Sequence, residues 1–192
     1  MVHGQAEINM REFDPRRFGN WADKDYTAEV SIADYHHMYY CYKPGEQHQV
    51  GRNLRKSTLH DRLAAKGAQF SQIFGWERAR WYDASGKGEQ FSFKRSNWWE
   101  AVKAECLAVR ERAGLMDLST FAKFEVAGPD AKAFLDRICA NRIPGKDGGI
   151  ILGHLLNANG FIESEITVTR LAADRFYVLS AAAAQLYDMD QL

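Results

Sequence analysis

Asn157-Ala-Asn-Gly160-Phe-Ile-Glu-Ser-Glu165-Ile-Thr-Val-Thr-Arg-Leu171 is the stretch on which the fold turns. Asn159-Gly160 forms a turn pair, because both residue types tolerate positive φ. Beyond it the residues alternate, with Glu163, Glu165 and Thr167 on one face and Ile162, Ile166 and Val168 on the other. A period of two marks a strand. Glu165 is therefore a carboxylate held at a set height on rigid backbone, where it can accept a proton from a protonated amine or pair with it. Without a pocket opposite it, the same residue is an ordinary solvated side chain, and Glu163 beside it reads that way.

Working outward from this strand, Ile150 to Leu156 reads as a buried strand that the Asn159-Gly160 turn joins into a hairpin. Ala172-Ala-Asp174 then turns the chain into a third strand, Arg175 to Ser180, and a fresh helical start runs from Ala181 to Leu192. Upstream, Phe121 to Val126 is strand-like, and Gly128-Pro129 opens a helix through Phe134, Leu135 and Ile138 that Pro144 closes off. Asn97 and Glu100 have capping-box spacing ahead of a helix whose face is Val102, Cys106, Val109 and Ala113, ending at Gly114. Helix, strand, helix, three strands, helix is the order of an α+β domain with helices packed on a mostly antiparallel sheet.

The first 56 residues show no sustained periodicity and read as an irregular connector. A short helix follows Ser57, with Leu59 and Leu63 four apart and Gly67 as its stop. Phe74-Gly-Trp76 and Trp81-Tyr82 read as extended aromatic structure, and Asp83 to Glu89 as an exposed loop.

Composition bounds the chemistry. The chain has 192 residues, 46% of them hydrophobic, enough for a real core. Lysine plus arginine and aspartate plus glutamate number 25 each, so no field of one sign attracts nucleic acid or a membrane surface. Cys41, Cys106 and Cys139 lie far apart and read as reduced, mostly buried thiols of a cytosolic or matrix-like compartment. Glu7, Glu12 and Asp14 argue against a secretory signal or an intact transit peptide, and no apolar run is long enough to span a bilayer. His36 and His37 are adjacent and point apart in an extended chain, so no metal is expected there. Asp117-Leu-Ser119 fits a turn better than a nucleophile. Arg16-Arg17 and Arg52 to Arg55 fit docking on an acidic surface or contact with phosphates. Trp76, Trp81, Trp98 and Trp99 read as packing anchors. No G-x-G-x-x-G follows a strand, and the glycines at 145, 148 and 149 have the wrong spacing, so the sequence carries no dinucleotide fingerprint.

A resemblance rests on several segments in order: Phe13-Asp-Pro-Arg-Arg-Phe-Gly-Asn-Trp21, Gly51-Arg-Asn-Leu-Arg55, Gly75-Trp-Glu77, Arg95-Ser-Asn-Trp-Trp99, Asp117-Leu-Ser119 and Phe161-Ile-Glu-Ser-Glu-Ile-Thr-Val168. Over nearly its whole length the chain resembles the dimethylglycine and sarcosine dehydrogenase family. These oxidoreductases join a flavin half, a short central segment and a half like the aminomethyltransferase, or T protein, of the glycine cleavage system. The resemblance implies that residues 1–72 are the central segment and residues 73–192 the first part of the aminomethyltransferase-like, folate-binding half. By the family layout, a flavin domain precedes the first residue and the rest of the folate half follows the last.

The resemblance also implies a reaction. The flavin takes a hydride from an N-methylated glycine, and the one-carbon unit passes to tetrahydrofolate. Glu165 matches the family's acidic position beside the folate amines and is the expected catalytic residue. Asn157, Phe121 and Leu155 join it as expected folate contacts, although Asn157 also suits the hairpin and the two apolar residues also suit a core. In the resembled family the T protein and many sarcosine-type relatives have aspartate where Glu165 stands, whereas the dimethylglycine branch has glutamate, as here; the additional methylene moves the carboxylate outward by ~1.5 Å. FAD is expected only through a preceding domain, and the isolated chain is expected to self-associate or be easily proteolysed and not to oxidise dimethylglycine. Alternatives are a stand-alone aminomethyltransferase-like folate-binding protein and a non-catalytic regulatory relative. The resemblance implies the cytoplasm, or the mitochondrial matrix in a eukaryote.

Overall fold

In the computed structural model, which describes residues 13–192, the alternating stretch is the third of four strands in one antiparallel sheet. Glu7 and Glu12 lie outside the described residues. The elements in chain order are α1 (Lys24–His36), α2 (His60–Ala64), β1 (Ala68–Ile73), β2 (Trp76–Tyr82), α3 (Trp99–Glu111), β3 (Ala122–Ala127), α4 (Ala131–Ile138), β4 (Ile150–Leu156), β5 (Ile162–Ala172), β6 (Arg175–Ser180) and α5 (Gln185–Gln191). This is the α+β class with antiparallel sheets that the sequence implies. The chain divides into two compact units, residues 20–120 and residues 121–192 joined by the described residues 13–19.

In the second unit the strand order is β3-β6-β5-β4. Hairpin geometry fixes the β4–β5 edge: Asn157 Oδ1 accepts from Asn159 N and Phe161 N at 2.9 and 3.0 Å, and Gly160 takes φ 79°. One sheet face carries Leu155, Ile166, Val168, Phe176 and Val178, and these pack with Ala131 and Leu135 of α4 into the core. Alternation makes this possible, because the same strands turn Lys123, Glu125, Thr167 and Arg175 to the opposite face. β4 is an edge strand, not the buried strand that its apolar run implies: Ile150 and Leu152 are exposed, and Gly153 and Leu155 are its buried members. Its far edge is partly covered, since Cys139 bridges Leu155 and Ala140 N donates to His154 O at 2.8 Å.

In the first unit, β1 and β2 form a hairpin whose two turn residues, Phe74 and Gly75, both have positive φ. The expected connector contains a 13-residue helix, α1. Asp23 caps it by accepting from Asp25 N and Tyr26 N, and Tyr26, Val30 and Ala33 form its half-buried stripe. Asp23→Ala should cost about 1 kcal/mol, read as a lower thermal midpoint for the unit of residues 20–120.

Two segments of the resemblance, Gly51–Arg55 and Gly75–Glu77, meet here. The Arg52 guanidinium reaches Glu77 through Nε at 2.9 Å and Nη2 at 2.5 Å, Asn53 N donates to Glu77 Oε1 at 2.7 Å, and Arg55 lies 4.2 Å over the Trp76 ring. Arg52 is thus tied to an internal carboxylate.

Three local expectations are corrected. Asn97 is not a cap: its Oδ1 accepts from Gln90 N and its Nδ2 donates to Gly88 O, closing a loop ahead of α3. The half-buried side of α3 is Ala101, Val102, Glu105 and Ala108, whereas Cys106 and Val109 are exposed. Cys41 and Cys106 are exposed and only Cys139 is buried. Among the described residues no helix is long and apolar enough to cross a membrane.

Candidate functional site

The core-facing set on β5 leaves Glu165 on the opposite face of the sheet, where its side chain is 63% exposed. In the β4–β5 register His154 is its direct partner, and the imidazole Nε2 stands 3.5 Å from Glu165 Oε2. Directly paired residues on adjacent antiparallel strands share a face. Leu152, paired with Thr167, lies beside them at 57% exposure. A carboxylate, an imidazole, a hydroxyl and an exposed aliphatic side chain therefore share the solvent-facing side of β4 and β5. That set can accept an N–H and support the face of a flat ring.

Asn157 sits at the end of β4, where its Oδ1 closes the hairpin and its Nδ2 donates to Glu163 Oε1 at 2.7 Å. Tyr187 of α5 donates its hydroxyl to the other oxygen of Glu163. With both its oxygens occupied, Glu163 is a fastening between the hairpin and α5, and Glu165 is the carboxylate the strand holds open.

The four residues singled out in the sequence are not all brought together. Leu155 is 2% exposed and lies in the core, on the face opposite to Glu165. Phe121 is 38% exposed at the start of β3, and β6 separates that strand from β5. Sequence reading missed His154 and Leu152. Their signal is the pairing of β4 with β5, which alternation along one strand does not contain.

Two cavities lie in the unit of residues 20–120. One, of about 550 Å³, is lined by His37, Tyr42, Glu46, His48, Arg52 and Glu89 among others. Burial pushes the Glu89 carboxyl up, against the opposing pull of Arg80 and Trp81. The other, of about 490 Å³, is lined in part by Glu77, Glu105, Val109, Met116 and Asp117. None of Glu165, Asn157, Phe121 and Leu155 lines either one. Asp117 acts as a turn organiser, accepting from Ser119 N at 2.9 Å and from Ser57 Oγ at 2.5 Å.

Comparison with known proteins agrees with the architecture. Residues 59–192 match the GCVT N-terminal domain, and residues 3–57 match the FAD dependent oxidoreductase central domain. The chain is 32% identical over 192 residues to mitochondrial dimethylglycine dehydrogenase of Rattus norvegicus, covering 98% of this chain and 22% of that protein. It is 36% identical over 188 residues to the formaldehyde-forming 4-methylaminobutanoate oxidase of Paenarthrobacter nicotinovorans, covering 96% of this chain and 23% of that protein. Among solved structures it is similar to the glycine cleavage system aminomethyltransferase T of Bartonella henselae, with a TM-score of 0.58, 27% identity, and coverage of 72% of this chain and 34% of that one. The chain spans about a fifth of the length of the curated relatives it matches.

Proposed function

Since the chain belongs to the dimethylglycine and sarcosine dehydrogenase family and its larger part to the GCVT N-terminal domain family, we propose that it is the central and folate-side part of a flavin-dependent N-methylglycine dehydrogenase, in which Glu165 serves the transfer of a one-carbon unit to tetrahydrofolate. The observation that carries this reading is the open Glu165 carboxylate on β5, paired across the sheet with His154 and flanked by Leu152 and Thr167.

The donor set fits a reduced pterin. A carboxylate accepts from ring or bridge N–H groups, and Leu152 offers the ring an apolar contact. When bound, tetrahydrofolate supplies the nucleophilic amine that receives the one-carbon unit. This chain's own residues orient it and manage a proton. Glu165 Oε2 accepts the N–H and takes the proton that the nitrogen must lose as it bonds to carbon. The strand fixes the backbone that carries this side chain, because Ile166 and Val168 next along β5 are 1% and 0% exposed and cannot shift without opening the core. Among the described residues no dinucleotide fingerprint is formed at Gly148 and Gly149, which lie in the loop between α4 and β4 and open no helix after a strand, so no step here runs through the flavin. Oxidation of the amine substrate belongs in this reading to the rest of the enzyme, in the cytoplasm or, for a eukaryote, the mitochondrial matrix.

Glu165→Gln keeps the shape and removes the charge. A hydrogen bond to a charged group contributes about 1.5–3 kcal/mol, and the exposure of Glu165 sets the expectation near the lower end. Calorimetric titration of the chain with tetrahydrofolate should show affinity reduced about tenfold in Glu165→Gln. Glu125→Gln, which removes a carboxylate from β3 on the same sheet face, should leave it within about twofold. Equal affinity in wild type and Glu165→Gln would refute the assignment. Adding dimethylglycine or sarcosine to a polypeptide that also carries the flavin half, and following flavin bleaching, separates a dehydrogenase from a folate-only or regulatory relative.

A further inference from the structure

His154 has no part in the reading above beyond standing next to Glu165, and its placement is specified more closely than a surface histidine needs. Its backbone carbonyl accepts from Ala140 N at 2.8 Å, which ties the outer edge of β4 to the segment after α4. On one side of it in the chain Leu155 is buried at 2% exposure, and on the other a Cβ at Gly153 would collide with Cys139 Sγ. β4 can therefore neither slide nor rotate, and the imidazole, 34% exposed, is held over β5 with Nε2 at 3.5 Å from Glu165 Oε2.

β5 offers two carboxylates on the shared face, and Glu163 is taken by Asn157 Nδ2 and the Tyr187 hydroxyl. β6, on the far side of β5, carries Arg175, whose guanidinium is engaged by Glu125 at 2.8 Å. Tyr177 is the other titratable group of that strand. Glu165 is thus the carboxylate that answers a charge on His154.

We propose that His154 is a positioning residue that gates Glu165: as an imidazolium it holds the Glu165 carboxylate across the strand pair, and on losing its proton it releases that carboxylate to the amine of a bound tetrahydropterin. The proposal rests on the folate reading of Glu165. No covalent step is involved; one proton leaves His154 for solvent, and one ion pair gives way to one N–H···carboxylate bond. The competition for Glu165 therefore depends on the charge of the imidazole.

Exposed ion pairs contribute about 0.2–1 kcal/mol, which corresponds to about a 1.4- to fivefold change in affinity. Calorimetric titration of the chain with tetrahydrofolate from about pH 5.5 to 8 should therefore show binding that strengthens by about 1.4- to fivefold as pH rises. His154→Gln should flatten the profile at its upper level, because no cation competes at any pH. His154→Lys should flatten it at its lower level, because the cation persists throughout. A purely structural role would lower affinity equally at every pH in both variants, and that outcome overturns the proposal, as does a wild-type pH profile in His154→Gln. Absence of tetrahydrofolate binding by a polypeptide that carries the complete folate half, or equal affinity there in Glu165→Gln, removes the folate reading and the gate with it. Weakened binding in Glu165→Gln with an unaltered pH profile in His154→Gln removes the gate alone.

Discussion

Glu77→Ala should destabilise the unit of residues 20–120 by about 3 kcal/mol, the largest effect expected from a single change there. The Glu77 side chain is 2% exposed and receives the Nε and Nη2 groups of Arg52 together with the Asn53 backbone N–H. Removing one partner of a buried ion pair costs about 3–5 kcal/mol, because the remaining charge stays desolvated. Arg52 keeps two bonds, from Nη2 to Phe70 O at 3.0 Å and from Nη1 to Gln49 Oε1 at 3.4 Å, and its side chain is 19% exposed, which places the expectation at the lower end of that range. Asn53 adds to the loss: it holds φ 64° while its N–H points at the carboxylate, so the turn loses both its anchor and the reason for its strain. Replacing both partners in Arg52→Met/Glu77→Leu should restore most of the loss, since an apolar pair of similar volume leaves no stranded charge.

The same carboxylate gives this unit a pH dependence of stated sign. Burial pushes the Glu77 acid up, but the Arg52 hydrogen bonds, the Asn53 N–H and the nearby positive charges together leave it below its ordinary value. A carboxyl whose folded value is depressed contributes stability that is fully present above the unfolded value of about 4.3 and is lost as pH falls through the folded one. Glu77→Ala should therefore be most damaging at neutral pH and progressively less so in acid. All five tryptophans, Trp21, Trp76, Trp81, Trp98 and Trp99, lie within residues 20–120, so tryptophan emission during urea unfolding reports this unit alone. A midpoint shift corresponding to less than about 1 kcal/mol would show that the network is not buried as described.

How much of this was legible beforehand depends on whether the governing force is local. The β4–β5 hairpin follows from Asn159-Gly160 and the alternation after it, and α4 from Gly128-Pro129 and the spacing of Leu135 and Ile138; both signals lie within one turn or one helix. α1 leaves little trace in the sequence because its stripe of Tyr26, Val30 and Ala33 is one side chain wide and set among charged neighbours, although Asp23 caps its start. Asn97 looked like a cap because capping is a local event, whereas its partners are Gln90 and Gly88 across a loop. The exposed thiols and the outward face of α3 depart from the sequence pattern for a related reason: an apolar residue states a preference for burial, and tertiary packing decides which preferences are met.

The candidate site divides in the same way. Alternation along β5 places Glu165 away from the core without any knowledge of its neighbours. Finding His154 requires the register, and the register contains a bulge. At the turn Leu156 pairs with Ile162; carried on without interruption, that register would set His154 against Ser164, on the core side of β5. The shift between Leu155 and Leu156 moves every later pair by one, so Leu155 meets Ser164 and His154 meets Glu165. A one-residue slip exchanges the two faces of a strand. The same shift explains why Leu155, singled out in the sequence as a pocket residue, lies in the core while Leu152 lies on the face of Glu165.

Leu135→Ala should cost the sheet-bearing unit about 3–4 kcal/mol. Leu135 is 0% exposed at the centre of the cluster formed by α4 with β5 and β6, where Ile166, Val168, Phe176 and Val178 are each 1% exposed or less. Truncation removes the transfer energy of the lost carbons and leaves a cavity; the sheet below cannot collapse into it, because its ladders hold the strands in place. Leu135→Met, which nearly conserves volume, should cost less than about 1.5 kcal/mol and serves as the control. No tryptophan lies in residues 121–192, so the measurement is hydrogen exchange at the amides of Ile166, Val168, Phe176 and Val178. Protection there should fall by about two orders of magnitude or more in Leu135→Ala, while tryptophan emission from residues 20–120 reports their unfolding separately. Because Glu165 is held over the solvent by the burial of Ile166 and Val168 beneath it, a loosened core should also weaken tetrahydrofolate binding without touching any residue of the site. A Leu135→Ala chain that keeps full amide protection would show that α4 is not what seals this face of the sheet, and the rigidity ascribed to Glu165 would lose its basis.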